Sequence, residues 1–255
     1  NSKNFKTLKP EFARGLPGIG TNDKSFLMKS SLISAKGLGL KIENRWLVRG
    51  LDLSISEGDF VAIAGPSGSG KTTLLRTLAG ELSPVEGGVK NHLSCPSQTG
   101  MIFQDLQLAE GSSVVNNVLG GCLGRHGFLS TLLRFPKEER EEANQFLTQF
   151  GLSDKSNQWA STLSRGEKQR VAACRTLLRR PLLLLADEPV SSLDPTWADT
   201  VLDHLKSMAF QRKGGVVCAL HNEDQITKFA DVVVRLDQKN PSNWRIDSLG
   251  AETLV

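Results

Sequence analysis

The sequence lacks any apolar run long enough to cross a bilayer. Its longest strongly apolar stretches are LLLLA, which starts at Leu182, and VVCAL, which starts at Val216. A membrane-spanning helix needs about 20 mostly apolar residues. We therefore predict no such helix anywhere in these 255 residues.

Cysteine pairs and blocks of like charge are also missing. The four cysteines (Cys95, Cys122, Cys174 and Cys218) form no C-x-x-C pair, and no histidine lies at metal-ligand spacing from them. This pattern argues against a structural metal and favours a reducing, cytosolic compartment. The 31 Lys and Arg residues are scattered among 27 Asp and Glu residues. We therefore expect no nucleic acid partner.

Hydrophobic periodicity is weak at the start of the chain. Glycines and prolines interrupt residues 1–27, which contain neither the apolar core nor the small-residue cleavage site of a signal peptide. We expect a loose extension there, followed by one domain over residues 28–255. The composition, with 39% hydrophobic and 23% charged residues, is that of an ordinary globular domain.

Three apolar runs predict buried strands with helices between them. The runs are FVAIAG at residues 60–65, LLLLAD at 182–187 and GVVCALH at 215–221, and residues 66–80 and 197–211 have the features of helices. This alternation predicts an α/β fold with a mostly parallel sheet. Between the first two strands, EEREEANQFLTQFGL and its flanks favour helix with no strong strand, and we predict a smaller helical lobe at about residues 105–165.

Residues 65–72, GPSGSGKT, match the phosphate-binding pattern G-x-x-x-x-G-K-[ST] in full. Glycines let successive backbone N–H groups face a β-phosphate, the lysine reaches the β- and γ-oxygens, and the threonine hydroxyl binds Mg²⁺. The alternative is a glycine-rich turn with an exposed lysine, but the motif follows a predicted strand and opens a predicted helix. The candidate nucleotide-binding residues are Gly65, Pro66, Ser67, Gly68, Ser69, Gly70, Lys71, Thr72 and Thr73.

Two adjacent acids follow the second apolar run. Asp187 ends this run and Glu188 comes next. Carboxylates at the carboxyl edge of a buried parallel strand are costly without a cation, and open α/β sheets bind their ligands at that edge. We predict that Asp187 binds Mg²⁺ and that Glu188 orients and polarises the attacking water. The alternative is a pair of acids that cap a following helix.

Four further features follow the phosphate loop in a fixed order. Gln104 lies in GMIFQD, LSRGEKQR covers residues 163–170, Asp194 ends SSLD, and His221 ends the third apolar run. Each has an ordinary structural explanation: a polar residue at a strand end, a capping box between Ser164 and Glu167, a helix cap and a strand-end histidine. Their joint order is what makes coincidence implausible.

This order of motifs resembles that of the ATP-binding-cassette (ABC) ATPases, from about Met28 to Asp237. The resemblance implies a P-loop fold with a mostly parallel core sheet, an antiparallel β subdomain and a helical subdomain. It further implies that Gln104 senses the γ-phosphate and metal and links to a membrane partner, and that His221 contacts the γ-phosphate. Ser164 and Gly166 would complete the site of the opposite subunit of a homodimer, with Asp194 nearby and two ATP molecules between the subunits.

The sequence departs from the family pattern at the signature and at the adenine position. LSRGEKQR stands where the family has LSGGQ, so Arg165 replaces a glycine and Glu167 a glutamine. The chain has no tyrosine, and the position at which the family stacks an aromatic ring on adenine holds Ile42. Trp46 is the nearest aromatic residue, and we predict that it has a packing role.

The segment after Gln104 looks like that of phosphonate-importer ATPases. NVLGGCLGRHGFLSTLLRFPKEEREEA is similar to their long insert, and ALHNEDQITKFADVVVRLD is also similar. The resemblance implies a peripheral ATPase on the cytoplasmic face of the inner membrane, beneath two permease subunits, with an external binding protein delivering a phosphorus oxyanion. Three alternatives stay open: a cassette for another solute, such as an amino acid or an exported lipoprotein; a non-transport cassette acting on nucleic acid or the ribosome; and a subunit that binds ATP without turnover.

Overall fold

The computed structural model describes residues 29–123 and 135–249. The predicted extension over residues 1–27 and part of the predicted helical lobe, residues 124–134, lie outside the described residues.

The strands of the described residues form two sheets. One is three-stranded and antiparallel, with the order β2-β1-β4, and the other is six-stranded, with the order β5-β6-β7-β3-β8-β9. Neighbours in the larger sheet are parallel except β8 and β9. The strands are β1 (Ser31–Ile42), β2 (Arg45–Ser56), β3 (Phe60–Ala64), β4 (Glu86–Asn91), β5 (Thr99–Ile102), β6 (Leu183–Asp187), β7 (Gly215–Ala219), β8 (Val232–Arg235) and β9 (Arg245–Ser248).

Helices connect the strands of the larger sheet, and local signals set where several of them begin. They are α1 (Lys71–Leu78), α2 (Val114–Leu119), α3 (Lys137–Gln149), α4 (Arg165–Arg179), α5 (Pro195–Gln211) and α6 (Glu223–Phe229). At the start of α4, Ser164 Oγ accepts from Glu167 N at 3.3 Å, and Ser164 N donates to Glu167 Oε2 at 2.8 Å. The capping box predicted from LSRGEKQR is therefore confirmed. No helix within the described ranges is both long and apolar enough to span a membrane.

Two apolar layers cover the two faces of the larger sheet. Alternate residues of β3 point to opposite sides: Phe60 packs in one layer with residues of α2 to α6, and Val61 packs in the other with α1 and the antiparallel sheet. Every residue of β3 is buried. Burial on both faces explains why this strand reads as a continuous apolar run rather than an alternating one. The mixed architecture expected from the family resemblance is confirmed.

Two short strands between the first two apolar runs were not located from the sequence. β5 lies there and pairs in parallel with β6, and β4 pairs with β1 in the smaller sheet. β5 has only four residues, TGMI, and β4 has the sequence EGGVKN, which contains two glycines and little apolar character. Such segments carry a weak local signal, because pairing with a neighbouring strand supplies most of their stability.

Candidate active site

The loop between β3 and α1 holds its backbone in conformations that need glycine. Gly70, the N-cap of α1, has φ +104°, and a Cβ atom there would lie 2.9 Å from Leu47 Cβ. At Gly65 a Cβ would lie 2.7 Å from the carbonyl oxygen of Leu236. Because Gly70 offers no side chain as a cap, the first N–H groups of α1 stay available for an anion.

Lys71 is a buried cation at the start of α1. It is 6% exposed, and its Nζ donates to the carbonyl oxygens of Gly65 at 2.9 Å and Pro66 at 3.1 Å. Burial lowers the pKa of Lys71, and the charges of Glu188 and Asp187 oppose that effect. The loop carbonyl groups therefore hold the ammonium, and the two acids predicted from LLLLADE are close enough for their charges to act on its pKa.

Asp187 is a buried carboxylate, and one of its oxygens accepts no hydrogen bond from the described residues. It ends β6 with 2% exposure, and its Oδ1 has no hydrogen-bond partner among the described residues. Burial raises the pKa of Asp187, while the Thr72 hydroxyl and the charge of Lys71 act in the opposite direction. An acceptor oxygen buried without a partner is costly. A cation beside Thr72 and Asp187 would remove that cost, so these residues fit a bound Mg²⁺.

Glu188 and His221 meet across the carboxyl ends of β6 and β7. His221 Nε2 lies 2.5 Å from Glu188 Oε1. Glu188 has φ +52°, a left-handed conformation that costs a residue other than glycine about 1–3 kcal/mol. His221 lies two residues beyond the end of β7 rather than within the strand.

Two adjoining cavities gather most of the predicted catalytic residues. A cavity of about 650 Å³ is lined by Thr72, Gln104, Asp187 and Arg165, among others. A second one, of about 510 Å³, shares Thr72 and Gln104 and adds Glu188. Its phosphate-loop residues are Ser67, Gly68, Gly70, Lys71, Thr72 and Thr73. Pro66 and Ser69 belong to the same loop but line neither cavity, and Ser69 is only 1% exposed.

The residues predicted to serve the other subunit, Ser164 and Gly166, also lie outside both cavities, as does Asp194. Ser164 is exposed at the start of α4, and a Cβ at Gly166 would lie 2.9 Å from the Ser192 carbonyl oxygen. Asp194 caps α5, its Oδ1 accepting from Thr196 N at 3.1 Å and Trp197 N at 3.2 Å. The structure therefore does not bring these three residues to the phosphate loop of their own chain.

Comparison with known proteins identifies the family that carries this arrangement. Residues 48–191 match the ABC transporter family. The chain is also 36% identical to the phosphonates import ATP-binding protein PhnC of Treponema denticola, over 82% of this chain and 88% of that protein. The chain belongs to the ABC transporter ATP-binding family. The resemblance that its motifs carry is thus confirmed.

A second relative and a solved structure extend this result. The aliphatic sulfonates import ATP-binding protein SsuB 2 of Rhizobium johnstonii is 35% identical, over 81% of this chain and 77% of that protein. The ATP-binding cassette MJ0796, in a dimeric post-hydrolysis state bound to ADP and Pi, superposes with a TM-score of 0.72 and 26% identity. That match covers 85% of this chain and 98% of the other. This chain is an ABC-type ATPase that binds ATP.

The two unusual signature residues of this ABC cassette have partners in its own chain. Arg165 Nε donates to Ser192 Oγ at 3.0 Å. Glu167 forms an ion pair with Lys155 in addition to its capping bonds. Burial tends to raise the pKa of Glu167, but its hydrogen bonds to Lys155 and Ser164 hold the pKa below the usual value. At position 167 a carboxylate therefore forms an ion pair with Lys155, which the glutamine of the family pattern could not form.

No aromatic ring among the described residues lines the 510 Å³ cavity, which contains the position predicted to face adenine. Ile42 is 51% exposed and lines the 510 Å³ cavity together with Arg45, whose Nη2 donates to the Gly68 carbonyl oxygen at 2.8 Å. Trp46 does not line this cavity. Two cations pack over its ring: Lys41, with Nζ 5.2 Å from the ring centroid, and Arg49, with Cζ 4.7 Å from it. The predicted packing role of Trp46 is therefore confirmed.

The sequence analysis missed two residues of this region. Arg45 precedes the phosphate loop by 20 positions and has no motif of its own. Gln169 lies inside the stretch LSRGEKQR, but its buried contacts with residues 188–192 appear only in the folded chain. The position of Gln169 shortly after a capped helix start was the sequence signal that could have pointed to it.

Proposed function

We propose that this chain is the ATP-hydrolysing subunit of an importer for a phosphonate or a related phosphorus oxyanion. The observation that carries the ATPase part is the gathering of Lys71, Thr72, Gln104, Asp187 and Glu188 at one edge of the larger sheet. The direction of transport and the class of solute are inferred from relatives, one of which, PhnC, is described as importing phosphonates. The sulfonate name of SsuB 2 makes sulfonates the competing solute class.

In this proposal the phosphate loop holds the triphosphate. Backbone N–H groups of residues 67–73, which include the start of α1, donate to the β-phosphate, and Lys71 Nζ moves from the carbonyl oxygens of Gly65 and Pro66 to the β- and γ-oxygens. Thr72, Asp187 and Gln104 hold Mg²⁺, directly or through water. When bound, Mg²⁺ neutralises charge that develops on the phosphate oxygens.

Glu188 orients the attacking water and takes one of its protons. As that proton moves to the carboxylate, the water oxygen forms a bond to the γ-phosphorus and the bond from the γ-phosphorus to the ADP oxygen breaks. His221, in contact with Glu188 Oε1, keeps the carboxylate in place and donates to the γ-phosphate. Gln104 links this site to the partner in the membrane.

Two copies of the chain would enclose two ATP molecules. Ser164 is exposed at a capped helix start, and neither it nor Gly166 lines the cavities of its own chain. The Ser164 hydroxyl oxygen accepts from Glu167 N, and the hydroxyl can still donate its proton to the γ-phosphate held by the other subunit. Asp194 lies a few residues after Glu188 and would approach the same seam. The dimeric state of MJ0796 supports this assembly.

The transport partners would be two permease subunits, supplied with solute by an external binding protein. The cassette would then lie on the cytoplasmic face of the inner membrane. A groove of about 660 Å³ beside Gln104 offers a contact surface, since Phe103 and Gln107 line it. Four arginines also line this groove, and although Arg180 already pairs with Glu142, their net positive charge favours an acidic segment of the permease: Arg175, Arg179, Arg180 and Arg212.

An aromatic ring at the adenine end should tighten ATP binding. Ile42→Tyr is expected to lower the Kd for MgATP about fivefold, because base–aromatic stacking contributes about 1 kcal/mol or more. The Kd is measured by isothermal titration calorimetry in a Glu188→Gln background. Val85→Tyr, at an exposed site outside the cavity, is the matched control and should leave the Kd unchanged. Equal Kd values for both tyrosine variants would refute the adenine assignment of Ile42.

Uptake in cells tests the proposed function. Cells lacking this gene are complemented with the wild type or with Glu188→Gln at matched expression, and uptake of a labelled alkylphosphonate and of a labelled alkylsulfonate is measured. We expect the wild type, but not the variant, to restore phosphonate uptake. Restoration of sulfonate uptake alone would show that the solute class is wrong. Restoration of neither, with purified wild type still hydrolysing ATP, would point to another solute or to a non-transport cassette.

A further inference from the structure

Gln169 is a buried amide that joins the signature helix to the loop after Glu188. It lies in the second turn of α4 and is 2% exposed. Its Nε2 donates to the carbonyl oxygen of Glu188 at 3.2 Å and to Ser191 Oγ at 3.0 Å. Its Oε1 accepts from Ser192 N at 3.0 Å. Three hydrogen bonds thus connect one side chain to residues 188–192.

Gln169 contacts the backbone of Glu188, the proposed base, and this backbone sets the direction of the Glu188 side chain. Glu188 has φ +52°, a conformation that a residue other than glycine keeps only where its surroundings enforce it. The Glu188 carbonyl oxygen also accepts from Ser191 N at 3.3 Å, a distance similar to that of the bond from Gln169. The amide of Gln169 therefore holds the backbone of Glu188 at its carbonyl oxygen, while His221 contacts the carboxylate.

The start of the same helix is packed against the same loop. Arg165 Nε donates to Ser192 Oγ, and the Ser192 carbonyl oxygen lies so close to Gly166 that a Cβ would stand only 2.9 Å away. Residues 164–169 and 188–192 consequently form one contact unit. A displacement of the helix start would be transmitted through Gln169 to the backbone of Glu188.

We infer that Gln169 is a positioning residue for hydrolysis, which fixes the backbone of Glu188 and couples it to the helix start that faces the nucleotide of the other subunit. This inference rests on the proposed function, because it takes Glu188 as the base and Ser164 as a contact to the partner's ATP. Gln169 touches neither ATP nor the attacking water. Its effect on the rate is exerted through Glu188 alone.

Two substitutions separate the contacts that Gln169 makes. Gln169→Met keeps the length of the side chain and removes all three hydrogen bonds. Gln169→Glu keeps an acceptor for Ser192 N and removes the donor to the Glu188 carbonyl oxygen. Lys168→Met is the matched control, because Lys168 is the preceding residue of the same helix and pairs with Glu110 instead of residues 188–192.

The test is a double-mutant cycle on the purified full chain. We expect Gln169→Met to lower kcat by about 10- to 100-fold, the range that misplacement of a catalytic group produces, and Gln169→Glu to lower it as well. When Gln169→Met is added to Glu188→Gln, the Kd for MgATP should stay within about twofold of the Kd of Glu188→Gln alone. Because Gln169 acts through Glu188, adding Gln169→Met to Glu188→Gln should leave the residual rate unchanged. Lys168→Met should have wild-type kcat.

Three results would overturn the inference. One is a kcat for Gln169→Met within twofold of the wild type. Another is an additive loss in the Glu188→Gln background, or a parallel loss of ATP affinity, either of which indicates a general structural role. A wild-type rate in the Glu188→Gln variant itself would refute the role of Glu188 as the base, and with it this inference. The first two results would overturn the inference and leave the role of Glu188 unaffected.

Discussion

Glu188→Gln is expected to lower kcat for ATP hydrolysis by about 100-fold or more, the usual contribution of a positioned general base. Glutamine has nearly the shape of glutamate and retains an oxygen that His221 Nε2 can reach, as it reaches Glu188 Oε1 at 2.5 Å. It cannot accept the proton of the attacking water. Phosphate release at saturating MgATP measures the effect.

The same variant should trap the ATP-bound dimer. ATP binding depends on the phosphate loop, which Glu188→Gln leaves unchanged, so size-exclusion chromatography should show a dimer with ATP and a monomer with ADP. Asp154→Asn removes an exposed carboxylate of the helical lobe and serves as the control, with wild-type turnover. A kcat for Glu188→Gln within tenfold of the wild type would exclude Glu188 as the base.

Lys71→Ala is expected to weaken ATP binding by about 30-fold or more. Loss of one partner from a buried charge pair costs about 2–5 kcal/mol, and 1.4 kcal/mol corresponds to a tenfold change in Kd. Lys71 is 6% exposed and close enough to Asp187 and Glu188 for their charges to act on its pKa. Its replacement therefore removes the cation that would balance both the acids and the γ-phosphate.

The Kd for MgATP is measured by calorimetry with Lys71→Ala in the Glu188→Gln background, so that turnover does not consume the ligand. Lys36→Ala removes an exposed cation from β1, outside both cavities, and should leave the Kd unchanged. Circular dichroism checks that each variant is folded. A Kd for Lys71→Ala within threefold of the background value would contradict the role of this lysine in phosphate binding.

Features encoded within a few neighbouring residues could be predicted from the sequence. The strand–loop–helix unit around Lys71, the apolar strand that ends at Asp187 and the capping box at Ser164 all depend on local patterns. The short strands β4 and β5 could not, because their stability comes from pairing with β1 and β6. Pairing with a distant strand produces little recognisable sequence pattern in a segment of four to six residues.

By itself, the sequence determined that this protein has a phosphate loop, two acids after a buried strand and a capped helix start, since hydrogen bonds and steric limits within single turns specify each of them. Only the tertiary structure decided which distant groups meet. His221 reaches Glu188 across 33 positions, and Gln169 reaches it across 19. Such contacts depend on the parallel order of β6 and β7 and on the packing of α4 against the loop after β6, because sheet order and helix packing set which side chains become neighbours.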